Sequence, residues 1–157
     1  MDERTYHETL SSFRTEAVFV ALCVIFLSFF LLRWINLGWD ALTITFLVFF
    51  VIFLFYVLNY KTLKILITPE NLQLTFGIFT WKVALSNIES IHIDENSIVR
   101  YGGAGIHLMW IKGNYRAFFN FLEYPRIVVI LKKKKGPVRE IAFSTKKPEQ
   151  IIESLRV

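Results

Sequence analysis

The stretch that decides the fold runs from Ala17 to Leu58. It consists of AVFVALCVIFLSFFLL (Ala17–Leu32), the connection RWINLGWD (Arg33–Asp40), and ALTITFLVFFVIFLFYVL (Ala41–Leu58). Neither apolar run contains a charge, a Pro or a Gly, and Cys23 and Ser28 are the only weakly polar side chains in the first. The runs are 16 and 18 residues long, so as helices rising about 1.5 Å per residue they reach roughly 24 and 27 Å. A hydrocarbon core is about 30 Å thick, and Trp34, Ile35, Tyr56 and Tyr60 extend the spans at their flanks. Lipid offers the backbone no hydrogen-bond partner, so both spans are predicted to be helices. Neither run has a polar face, and Phe is spread all round both, which argues against a helical pair buried in a soluble core. A second span follows the first at once, and no small-x-small cleavage site intervenes, so the first run does not read as a signal peptide.

Working outward, residues 1–16 are polar and mixed in charge, and they read as a flexible or surface-lying lead-in. Ser11, Ser12 or Thr15 would cap the first helix. The connection holds one Arg and one Asp, with Trp34 and Trp39 where an interfacial aromatic belt belongs. The opposite flanks carry Arg4, Arg14, Lys61 and Lys64. Four basic residues against one place both termini in the cytoplasm, in a multi-pass protein of the inner or plasma membrane.

Charge divides the chain as well. Residues 1–60 hold three Lys/Arg against five Asp/Glu, net −2, whereas residues 61–157 hold fifteen against eight, net +7. Cys23 is the only cysteine, which excludes an intrachain disulfide and a cysteine metal cluster. The organisation expected is a polar segment 1–16, a two-helix transmembrane hairpin 17–60, and one small domain 61–157.

After Lys61 the pattern turns to alternation. LKILIT ends at Pro69-Glu70-Asn71, and in NLQLTFGIF the residues Leu72, Leu74 and Phe76 share a face. Gly77 permits a turn, and a bulge or short corner at Ser86-Asn87 would restore the phase towards Ile91 and Ile93. SIVRY, the cluster Gly102-Gly103-Ala104-Gly105, IHLMWI and YRAFFNF follow. RIVVIL (Arg126–Leu131) is apolar on both faces, as in a central strand. It meets Lys132–Lys135, turns at Gly136-Pro137 and returns as VREIAFS. Pro148 and Glu149 open a terminal helix whose apolar stripe is Ile151, Ile152 and Leu155. The pattern predicts about seven short antiparallel strands, as a small barrel or two packed sheets, with the helix plugging one open end.

ITPENLQLTFGIFTWKVALSNIESIHI, YGGAGIHLMWIKGNYRAFF, the apolar strand with its basic hairpin, and KKPEQIIESL together resemble the bacterial and archaeal pleckstrin-homology-like (PH-like) domains. More closely, the chain resembles small prokaryotic membrane proteins that carry a two-helix hairpin ahead of such a domain. The matching part runs from about Leu63 to Leu155, and its most specific piece is Tyr101 to Ile106 followed by Gly113 and Tyr115. The resemblance implies a seven-stranded split barrel with a C-terminal capping helix. For function it implies little, because such domains bind lipids, peptides and protein partners on one scaffold.

Chemistry is sparse. His92 and Asp94 share a strand face, and with His107 they would make a metal site only if the strands converged. No nucleophile elbow, phosphate-binding loop or acid pair appears, so neither catalysis nor a cofactor is expected. Tyr101, Gly102, Gly103 and Gly105 read first as a turn with backbone freedom, and second as a loop whose bare amides meet a partner backbone or an anion. Lys132, Lys133, Lys134 and Lys135, with Arg139, Lys146 and Lys147, form the strongest binding candidate. They read either as a solvated hairpin that blocks edge pairing or as a contact for anionic lipid headgroups or a protein partner. No nucleic-acid recognition motif accompanies the basic charge. Two function classes follow. One is a non-catalytic, membrane-anchored lipid- or partner-binding module. The other is an accessory subunit of a larger membrane complex, or a homo-oligomer, assembled through Phe-rich helices.

Overall fold

The computed structural model describes residues 5–95 and 103–155. Helix α1 spans Phe13–Leu37 and α2 spans Ala41–Asn59. Both are long and apolar enough to cross a membrane, with mean hydropathy of 2.6 and 2.8. Of the three caps expected for α1, the structure uses Ser12, whose Oγ accepts from the Thr15 amide at 3.0 Å. Asp40 caps α2, accepting from the Thr43 amide at 2.7 Å and its hydroxyl at 2.6 Å. These two bonds, and then Arg33 at 2.5 Å, hold the Asp40 carboxyl down at about 2. The helices run antiparallel and are zipped by rings: Phe19 against Tyr56 at 5.1 Å, Phe26 against Phe53 at 5.3 Å, and Phe29 against Phe46 at 5.4 Å.

The described residues also form nine strands: β1 Tyr6–Ser11, β2 Thr62–Ile67, β3 Asn71–Phe76, β4 Phe79–Ala84, β5 Ile88–Ile93, β6 Gly105–Ile111, β7 Asn114–Asn120, β8 Arg126–Lys135 and β9 Val138–Ser144. They form a four-stranded sheet, β1-β2-β3-β4, and a five-stranded sheet, β5-β8-β9-β7-β6, that do not close into a barrel. The expected seven-stranded, wholly antiparallel barrel is corrected in three respects: strand number, closure, and the parallel pairing of β7 with β9. The alternative of two packed sheets is the one observed. The corner expected at Ser86-Asn87 is a one-turn 3-10 helix, Leu85–Asn87, followed by a register shift in β5. RIVVIL lies inside its sheet, between β5 and β9.

Within the lead-in expected to be flexible or surface-lying, Tyr6–Ser11 form strand β1, paired along its whole length with β2 from Tyr6↔Ile67 to Ser11↔Thr62. Alternation explains it: Glu8 and Leu10 face inward while His7, Thr9 and Ser11 face solvent. The helical hairpin is therefore inserted between two neighbouring strands.

The core lies between the sheets. Leu10, Leu63, Ile65, Leu72, Leu74 and Phe76 on one side meet Phe119, Phe121, Ile127, Val129, Ile141 and Phe143 on the other. Helix α3, Pro148–Leu155, adds Ile151 and Leu155, two of the three residues of its expected stripe, and Ile152 packs at the edge. The hairpin is fastened to this core. Tyr60 is buried in it. The Leu122 amide donates to Thr15 Oγ1 at 3.0 Å, and Tyr124 Oη donates to the Ser11 carbonyl at 2.8 Å. Gly77, at φ 60°, lies so close to the end of α2 that a Cβ would sit 2.2 Å from the Asn59 carbonyl oxygen. A glycine is required there.

Candidate binding surface

The seven basic candidates are divided between two ends of the five-stranded sheet. Lys146 and Lys147 follow β9 at the end where the helices attach: the Lys146 ammonium lies 5.2 Å from the Tyr124 ring centre, and its amide donates to Glu8 at 2.9 Å. The Lys147 amide donates to Thr145 Oγ1 at 3.0 Å. Lys132–Lys135 lie at the other end, because β8 begins beside the helix base and runs away from it for ten residues, roughly 30 Å along the strand. All four belong to β8 itself, and only Gly136 and Pro137 make the turn.

Several of these groups are held by the fold. Lys132 Nζ donates to the Ser86 carbonyl at 2.9 Å. Lys133 exchanges two backbone hydrogen bonds with the Asn87 side chain, at 2.8 and 3.0 Å. Lys135 Nζ donates to the Lys82 carbonyl and sits 5.4 Å from the Trp81 ring centre. Arg139 donates to the Lys132 carbonyl and pairs with Glu89 at 2.5 Å. The Lys133 and Lys134 side chains project from the exposed end of the strand.

Beside this basic end runs a groove of about 630 Å³ that sequence reasoning missed. Its lining includes Pro69, Leu85, Ile88, Ser90, Ile91, Lys132, Leu155 from α3, and Glu89, whose carboxylate is paired with Arg139. It follows β5, which among the described residues pairs with β8 on one side only, an edge strand with backbone groups on its other side. Its residues come from four separate segments, so no local motif could have announced it. The alternation of IESIHI was the only partial sign.

The histidine reading fails on topology. His92 pairs with Val128, Val128 with Ala142, Ala142 with Phe118, and Phe118 with His107, so the two histidines sit on opposite edges of one sheet. Four strand spacings separate them by about 19 Å. His107 stacks on Phe118 at 4.8 Å, and Asp94 holds Arg126 at 3.1 Å and Arg116 at 3.6 Å. Arg116 in turn grips Glu140 at 2.5 Å. These four charged groups form a buried ionic network on the outer face of the sheet, which no spacing in the sequence announces.

Of the glycine loop, Tyr101 and Gly102 lie outside the described residues. Gly103 has open space where a side chain would stand, whereas a Cβ on Gly105 would meet Tyr56 at 3.1 Å. Gly105 thus lets β6 start tight against the helix base, a structural role.

The fold and this surface define a two-helix hairpin bearing a mainly-β domain with an open-edged groove. The chain matches no protein-family model, no curated protein and no solved structure.

Proposed function

We propose that this chain is a membrane-anchored, non-catalytic binding module. Two helices cross the bilayer, and a PH-like domain on the cytoplasmic side takes an extended, acidic segment of a protein partner along β5, beside α3. The observation that carries this reading is the groove: it combines the free edge of β5, an apolar floor of Leu85, Ile88 and Ile91, and a basic end supplied by Lys132. An extended peptide gains main-chain hydrogen bonds from an open edge and specificity from pockets that take alternate side chains. Basic groups at the end of the groove favour an acidic occupant and speed its encounter.

A headgroup contact through Lys132–Lys135 with the protein's own bilayer is less well supported. The tip lies roughly 30 Å along β8 from the helix base, and surface charge fades over a Debye length of about 8 Å.

The test uses the full-length chain in its native membrane with a photo-crosslinking residue at Ser90, and a control at Gln73 on the outer face of the other sheet. An acidic protein segment crosslinked at 90 but not at 73, and lost when Lys132–Lys134 are changed to Glu, is the expected result. Lipid adducts from a crosslinker at Lys134 would favour the headgroup reading instead. Protein adducts confined to positions such as Val24 and Val51, which are exposed on the helices, would favour the accessory-subunit reading.

A further inference from the structure

Ile78 and Phe79, at the turn between β3 and β4, are 68% and 48% exposed; Gly77 and Ile78 make the two-residue turn, Phe79 opens β4, and its cross-strand partner Phe76 is buried. The position of this turn is fixed. Gly77 abuts the Asn59 carbonyl at the end of α2, and the Phe79 ring is nearly parallel to Tyr60, 6.3 Å away. Tyr60 in turn touches Tyr56 at 4.7 Å and Phe55 at 6.0 Å, both in the last turn of α2. The turn therefore stands level with the point where α2 ends. In a spanning helix that level is the membrane–water interface, where amphipathic aromatic rings such as Tyr56 and Tyr60 settle. An exposed Ile and Phe held there have the hydrocarbon boundary within reach.

We infer that the β3–β4 turn is a membrane-inserting wedge. Ile78 and Phe79 enter the interfacial zone of the bilayer that α1 and α2 cross, and they fix the tilt of the domain on that surface. The inference rests on the membrane-spanning reading of the helices. The occupant is lipid, because the exposed pair stands beside the end of α2, where Phe55 and Leu58 also present exposed apolar side chains.

The test uses the full-length chain with Cys23→Ala, reconstituted in phosphatidylcholine–phosphatidylglycerol vesicles. An environment-sensitive fluorophore is attached in turn to Ile78→Cys, Val48→Cys and Lys134→Cys. At position 78, emission should be shifted to the blue and should fall about two-fold with nitroxide lipids labelled near the headgroup, the depth of an interfacial side chain. Position 134 should respond only to a water-soluble quencher, and position 48 only to nitroxides deep in the acyl chain. Water-like emission at 78 with deep quenching at 48 overturns the wedge alone. Failure of deep quenching at 48 overturns the spanning reading and the wedge with it. Protection at 78 from both water and lipid quenchers also overturns it, by showing a second copy on the patch.

Discussion

Two residues carry the join between helices and sheet. Thr15 is buried in the first turn of α1, where its hydroxyl accepts both from Ser12 at 2.8 Å and from the Leu122 amide. Thr15→Val keeps the shape but strands that amide, so unfolding in detergent should become easier by about 1–3 kcal/mol. Circular dichroism melting against the parent chain measures it. Asp40 has a depressed pKa, set first by its hydrogen bonds from Thr43 and then by Arg33. A depressed carboxyl contributes stability that is present above its unfolded value near 4 and is lost as pH falls through its folded value of about 2. The melting temperature of the parent should therefore drop towards that of Asp40→Asn only on descending from about pH 4 to about pH 2. A constant gap between the two proteins across that window would contradict this role.

At the scale of elements, legibility followed periodicity. The two helices, the central strand RIVVIL, the corner after Leu85 and the stripe on α3 were readable because each repeats an apolar spacing over many residues. β1 was not: YHETLS fully buries only Glu8 and Leu10, with Tyr6 packed at the edge of the core, and the buried glutamate interrupts the apolar alternation. Its reason lies elsewhere in the chain, where Glu8 accepts from the Thr145 hydroxyl at 2.6 Å and the Lys146 amide. The groove was invisible for the same cause, since β5 meets Lys132 and Leu155 only after folding. If β1 is integral, Leu10→Ala should cost about 2–5 kcal/mol, as for any fully buried leucine. A flexible lead-in would lose nothing. Denaturant titration of the two proteins in one detergent decides between them.

For the molecule as a whole, the consequence of the β1–β2 pairing is that the domain is not contained in residues 61–157. Cutting before Lys61 removes an edge strand and uncovers Leu63, Ile65 and Ile67, buried side chains on what would become an exposed edge. Such a fragment should aggregate. Replacing residues 13–59 with a short glycine-rich turn should give a soluble, monomeric domain, because Ser11 and Thr62 already stand as paired neighbours. Gel filtration of the two proteins distinguishes these outcomes. The pairing also places the segments flanking the hairpin on one side of any membrane the helices cross, independently of charge counts.

That same pairing sets a clock on biosynthesis. Ser11 leaves the ribosome about 50 residues ahead of its partner Thr62, which at 5–20 residues per second is a delay of roughly 3–10 s. Throughout that interval the first strand waits unpaired, and where the helices cross a membrane it can be joined only after both have entered. A chain that inserts one helix and stalls leaves β1 and β2 on opposite sides, unable to meet. In a chain whose helices cross a membrane, the sheet would act as a checkpoint on insertion: only a completed hairpin allows the domain to close.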